Sequence, residues 1–227
     1  MKKKVLICVA HSDDEVLGCG GVIQYHRSKG DDVYCMNMTN GVSSREYNAR
    51  TLQKKIQERK ESSAKAAKIL DFKWLDEFSN LFEDNKLDNY VLLDLVKVIE
   101  KAKKKINPQV VYTHFKRDLS IDHRLTHEAV VTAFRPQNNE VWTDLISFEI
   151  PSSTDYNLDV QFKPNYIIDI TKFLKKKIEA FKMYKEEIKK APHSRSLLGI
   201  KTLASYRGVQ NGIQYGEAFE ILKKIKR

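Results

Sequence analysis

Apolar residues along this chain fall into short unbroken runs separated by longer stretches in which they recur every three or four positions. Lys4 to Ala10 is a near-continuous apolar run suited to a strand buried on both faces, and Asp14 to Lys29 has helical spacing that ends at Gly30. Asp32 to Thr39 predicts a second strand, followed by a loop at Asn40 to Ser44 and a long helical pattern from Tyr47 to Leu70. Phe72 to Leu75 is a short strand candidate and Tyr90 to Lys105 a helix, after which Asn107-Pro108 breaks the chain before the β-rich run Val110 to Phe115. A loop over Asp118 to His123 leads into a helix from Arg124 to Phe134, stopped by Arg135-Pro136. Trp142 to Ile150 and Tyr166 to Ile170 complete the strands. The remainder reads as mainly helical, with Thr171 as N-cap of a helix through Lys190 and a second helix over Ser194 to Tyr206. Strands alternating with helices predict an α/β fold with a doubly wound, mainly parallel sheet and a helical C-terminal part. Loops starting at His11, Asn40 and Phe115 then meet at the carboxyl ends of the strands.

Composition narrows this picture. A chain of 227 residues fits one domain, 1–227, with a full core and a cleft. The run Val5 to Ala10 behind Met1-Lys2-Lys3-Lys4 is too short for a signal peptide, and no apolar stretch approaches the ~18 residues of a membrane span, so a soluble, cytoplasmic protein is expected. The three cysteines, Cys8, Cys19 and Cys35, have no C-x-x-C spacing and read as small core residues. The net charge of +10 comes largely from lysines on predicted helix faces; with no RNA-binding signature or zinc finger, no nucleic-acid partner is expected.

The candidate chemistry sits at two strand-to-helix junctions. His11 and Asp14 are three residues apart, so one turn of backbone can aim an imidazole and a carboxylate at one point, and the run Asp13-Asp14-Glu15 calls for a compensating cation or helix dipole. The second junction, Asp118-Leu119-Ser120-Ile121-Asp122-His123-Arg124, supplies His123. Two histidines and a carboxylate with a position left for water make the pattern of a catalytic zinc, which polarises a carbonyl and activates water. Asp13, left free between the ligands, is the candidate base.

His11-Ser12-Asp13-Asp14-Glu15, with Val16-Leu17-Gly18-Cys19-Gly20-Gly21 behind it, resembles the A-H-P-D-D-E motif of the LmbE-like, PIG-L-like zinc-dependent de-N-acetylases. Asp122-His123-Arg124 resembles their second motif; Pro192-His193-Ser194-Arg195-Ser196 and Glu217-Ala218-Phe219 resemble their C-terminal segments. The resemblance implies a Rossmann-like three-layer sandwich, one zinc on His11, Asp14 and His123, Asp13 as general base, and an N-acetylglucosamine conjugate as substrate. Two positions depart from the pattern. Ser12 replaces the common proline, which loosens the loop, and Ser120 stands where many members carry a histidine, so His114, His193 or Tyr112 becomes a candidate proton donor, or Asp13 returns the proton it took.

Asn40, Arg59, His193 and Arg195 are the candidate contacts to the sugar or to an attached phosphate, with a surface salt bridge as the competing role for Arg59. Trp74 and Trp142 read as core residues. The competing functions are a metallophosphoesterase, which would need a second metal, and a non-enzymatic nucleotide or nucleic-acid binding module, which lacks a G-x-G-x-x-G after the first strand. A homo-oligomer is compatible with the sequence.

Overall fold

The computed structural model describes residues 2–138, 140 and 143–225. In chain order the elements are β1 (Lys4–Val9), α1 (Asp14–Ser28), β2 (Asp32–Asn37), α2 (Ala49–Leu70), β3 (Lys73–Trp74), α3 (Leu92–Ile106), β4 (Val110–His114), α4 (Ile121–Ala133), β5 (Asp144–Phe148), β6 (Tyr166–Asp169), α5 (Leu174–Phe181), α6 (Leu197–Val209) and β7 (Gly216–Lys223). The strands form one sheet in the order β3-β2-β1-β4-β5-β7-β6, parallel from β3 to β5 and antiparallel around β7.

The first apolar run is unbroken because its alternate residues feed two cores. Val5, Ile7 and Val9 pack with α1, α2 and α5, whereas Leu6 and Cys8 pack on the opposite face with α3 and α4. This is the expected three-layer α/β sandwich. All three cysteines are free and buried. Trp74 stacks edge-on against Phe72 at 5.3 Å between ring centroids, while Trp142 lies outside the described residues. The strand order reverses between β1 and β4, and a cleft opens at such a switch point beyond the strands' carboxyl ends. The loops that follow β1 and β4 carry both candidate motifs.

The C-terminal third departs from the expected pattern in three ways. Thr171 does not cap a helix: its hydroxyl accepts the Tyr215 amide at 3.2 Å, and α5 begins only at Leu174. The helix expected through Lys190 ends at Phe181, because Tyr184 and Glu187 are drawn inward to polar partners near the β1 loop. After α6, Gly216 to Lys223 forms a strand that inserts between β5 and β6. No helix among the described residues is long and apolar enough to cross a membrane.

Candidate metal centre and active-site cleft

The β1 loop is held by hydrogen bonds rather than by a proline ring. Ser12, only 4% exposed, accepts Asn37 Nδ2 on its hydroxyl at 3.0 Å and Arg59 Nη1 on its carbonyl at 2.7 Å, so serine here does not loosen the turn. Asp13 caps α1 with φ 128°, an uncommon conformation for a residue with a side chain. Its carbonyl accepts the amides of Val16 and Leu17 at 3.0 and 2.9 Å, and its own amide donates to Glu15 Oε2 at 2.8 Å. At the other junction, Ser120 caps α4 by accepting the His123 amide at 3.4 Å, so His123 lies in the first helical turn and not in the preceding loop.

These two junctions bring three donor atoms together. His11 Nδ1, Asp14 Oδ2 and His123 Nε2 form a triangle with edges of 3.2, 3.3 and 3.4 Å. A tetrahedral divalent cation with bonds of about 2.0–2.1 Å holds its ligands about 3.3–3.4 Å apart, so the triangle has the right size. The second carboxylate oxygen of Asp14 is buried without a hydrogen-bond partner, which fits a carboxylate placed to meet a cation.

Each imidazole is turned by carboxylates behind it. His11 Nε2 lies 3.0 Å from Asp122 and 3.1 Å from Asp84, which directs its Nδ1 to the triangle; His123 Nδ1 lies 3.0 Å from Asp118, which directs its Nε2 there. The carboxylates are anchored in turn. Asp122 accepts the amides of Asn85 and Leu87 at 2.7 and 3.1 Å, Asp84 accepts the amide and hydroxyl of Ser44, and Asp118 accepts the hydroxyls of Ser153 and Thr154. Burial disfavours charge on His11 and His123, but Asp122, Asp14 and Asp84 raise the former well above its ordinary value, and Asp14 and Asp118 raise the latter to about 9. The cluster is built to attract positive charge.

Asp13 faces a cleft of about 210 Å³ lined also by His11, Arg59, Asp84, Glu187 and Arg195. Burial pushes its carboxyl up to about 6, with Arg195 drawing it down, Asp14 adding to the rise and Arg59 opposing it. Arg195 Nη1 and Arg59 Nη1 lie 3.4 and 3.9 Å from it. Both arginines, together with Arg45, converge on the single carboxylate of Glu187. Arg59 is therefore 7% exposed and points inward from α2, not a surface salt-bridge residue.

The other candidates supply no corner of the triangle, although His114 Nε2 comes within 3.5 Å of Asp14 Oδ2. Asn40 spends its side-chain oxygen on the amides of Val42 and Ser43, both at 3.0 Å, while its neighbour Gly41, at φ +69°, runs past His11. His193 accepts the Arg195 amide on Nδ1 at 3.0 Å and stands edge-on to Tyr156. His114 is fully buried behind His123, stacked on it at 3.9 Å, with Nε2 accepting the Ala10 amide. Tyr112 is turned away and donates to His26 at 3.0 Å. Asp84, Glu187, Arg45 and Tyr184 carried no marker in the sequence. Asp118 and Asp122 stand inside the second motif, where an aspartate immediately before a candidate ligand histidine is the available signal.

The chain matches the family described as PIG-L, GlcNAc-PI de-N-acetylase, over residues 6–134. It is 28% identical over 242 aligned positions to the diacetylchitobiose deacetylase of Thermococcus kodakarensis, covering 98% of this chain and 84% of that protein. Among solved structures, the N,N'-diacetylchitobiose deacetylase of Pyrococcus horikoshii, complexed with an inhibitor, superposes with a TM-score of 0.78 at 23% identity, covering 97% of this chain and 84% of the other. GalB, the 4-carboxy-2-hydroxymuconate hydratase of Pseudomonas putida KT2440, superposes equally well, with a TM-score of 0.78 at 22% identity over 100% and 98% of the two chains.

Proposed function

Because the chain belongs to the GlcNAc-PI de-N-acetylase family, we propose that it is a zinc-dependent hydrolase that removes an N-acyl group, in the first instance acetyl, from a small amino-sugar conjugate, with Asp13 as general base. The observation that carries this reading is the triangle of His11 Nδ1, Asp14 Oδ2 and His123 Nε2 beside the unligated carboxylate of Asp13. When bound, one zinc on those three atoms supplies Lewis acidity and a water of lowered pKa.

The protein's own part is orientation and proton transfer. Asp118, Asp84 and Asp122 hold the ligand imidazoles in the required tautomers. Asp13 takes the proton of the attacking water and returns it to the departing amine; of the other candidate donors, His114 is sealed behind His123 and Tyr112 is committed to His26. Arg195 and Arg59 keep the Asp13 carboxylate aimed into the cleft, and with His193 and Asn40 they are the groups we assign to sugar hydroxyls or an attached phosphate. Asp84 and Asp122 also lie around His11, but backbone amides and the Ser44 hydroxyl already occupy them, which favours one cation over the pair a phosphoesterase would use.

Purified protein with one equivalent of zinc is expected to release acetate from N,N'-diacetylchitobiose or N-acetylglucosamine derivatives. Absence of acetate across N-acetylated amino sugars, with zinc bound, overturns the reading. Replacing Asp118 by Asn is expected to weaken zinc binding by about 10–100-fold, measured by competition with a chromogenic chelator. Unchanged affinity would remove Asp118 from the scheme.

A further inference from the structure

Two motifs that this chemistry leaves unused, the glycines behind the acidic loop and the glutamate near the C-terminus, meet in the structure. Lys177 of α5 and Glu217 of β7 form an ion pair at 2.6 Å, and each is only 5% exposed. Both side chains bind the backbone of α1. Lys177 Nζ donates to the Leu17 carbonyl at 2.7 Å, and the Glu217 carboxylate accepts the amides of Gly21 and Val22 at 2.8 and 2.7 Å. In a regular helix the carbonyl at 17 and the amide at 21 are each other's partners, so the pair grips α1 at one rung of its ladder. Bare backbone admits it: a Cβ on Gly20 would lie 2.8 Å from Lys177 Cγ, and one on Gly21 would lie 3.0 Å from Glu217 Cδ and 2.4 Å from Ile170 Cγ2.

The grip lies one hydrogen bond from the site. The residue whose carbonyl Lys177 holds, Leu17, donates its amide to the Asp13 carbonyl at 2.9 Å. Asp13 keeps its φ of 128° only as long as its surroundings hold it there. The segment after α5 holds the other side, where the Tyr184 hydroxyl bonds Glu15, whose second oxygen takes the Asp13 amide. We propose that Lys177 and Glu217 are positioning residues for the Asp13-Asp14 turn, clamping the Leu17–Gly21 rung of α1 so that the turn keeps its positive-φ conformation and Asp14 stays in the donor triangle. The effect on turnover rests on the deacetylase reading; the effect on α1 is measured without substrate.

Amide hydrogen exchange on the zinc-loaded protein tests this. Lys177→Met keeps the stem beside Gly20 and removes the donor, and Glu217→Gln removes the charge. In both, the Val16 and Leu17 amides are expected to exchange at least tenfold faster, while those at the far end of α1 change less than threefold. Asp31→Asn, which cuts the 2.7 Å His26–Asp31 contact at that far end, is expected to give the reverse pattern. With N,N'-diacetylchitobiose, the two clamp variants should lose at least tenfold in kcat with KM within twofold, and Lys177→Arg should restore most of it. Unchanged exchange at Val16 and Leu17, or equal loosening at both ends of α1, overturns the proposal whether or not the wild type releases acetate. Failure of both clamp variants to fold where Asp31→Asn folds also overturns it, by assigning the pair to the core at large.

Discussion

Replacing Asp13 by Asn is expected to lower kcat for acetate release by about 10²–10⁴-fold, the usual contribution of a positioned general base, while zinc stays bound. The substitution is close to isosteric, and asparagine tolerates positive φ better than most residues, so the cap of α1 should survive it. What it removes is the proton acceptor in the cleft and the negative charge facing Arg195 and Arg59. His11 and His123 keep their places, because their supports are Asp84, Asp118 and Asp122 and not Asp13, and Asp14 keeps its place as long as the turn survives, with its Oδ2 accepting the His11 amide at 2.9 Å. Steady-state kinetics beside metal analysis of the same preparation checks both halves. Turnover within tenfold of wild type would mean that the base lies elsewhere; loss of zinc would mean that Asp13 belongs to the ligand set.

Much of this arrangement was legible in the sequence because it is local. The β1 run must face two cores, so its apolar residues are contiguous, and His11 and Asp14 are close in space because they are close along the chain. His123 follows from the same logic at the next junction. What could not be read was set by partners far along the chain. Glu187 lies in a lysine- and glutamate-rich stretch with helical spacing, yet three arginines from other segments pull it inward and end the helix early. Asp84, in irregular chain, acquires meaning only when the β1 loop places His11 3.1 Å away. Gly216 to Lys223 is short and mixed in polarity, and becomes a strand because β5 and β6 leave a gap between them.

The fold narrows the reaction less than the site does. A deacetylase and a hydratase superpose on this chain with the same TM-score of 0.78, so the sheet is a frame on which different chemistry can be mounted. The reaction has therefore to be argued from this chain's side chains: an imidazole–carboxylate triangle of 3.2–3.4 Å and a carboxylate beside it that faces arginines instead of joining the triangle.

Stripping the metal is expected to abolish acetate release and to lower Tm by about 8–16 °C, with both restored by one equivalent of zinc. The size follows from linkage. A ligand present at a thousandfold excess over its Kd stabilises the folded state by about 4 kcal/mol, and for a chain of 227 residues each kcal/mol corresponds to about 2–4 °C. The direction follows from the cluster itself: without a cation, Asp14, Asp84, Asp118 and Asp122 are gathered around two imidazoles, and one oxygen of Asp14 remains buried without a partner. Thermal melts of chelator-treated and zinc-restored protein, with acetate release followed in parallel, provide the check. The Asp14→Asn variant serves as the control, since it should melt at the same temperature with and without zinc. If chelation changes neither Tm nor turnover, the triangle is a buried hydrogen-bond cluster and the reaction must be sought without it. If Tm falls while turnover persists, the cation is structural and Asp13 loses the partner its proposed role requires.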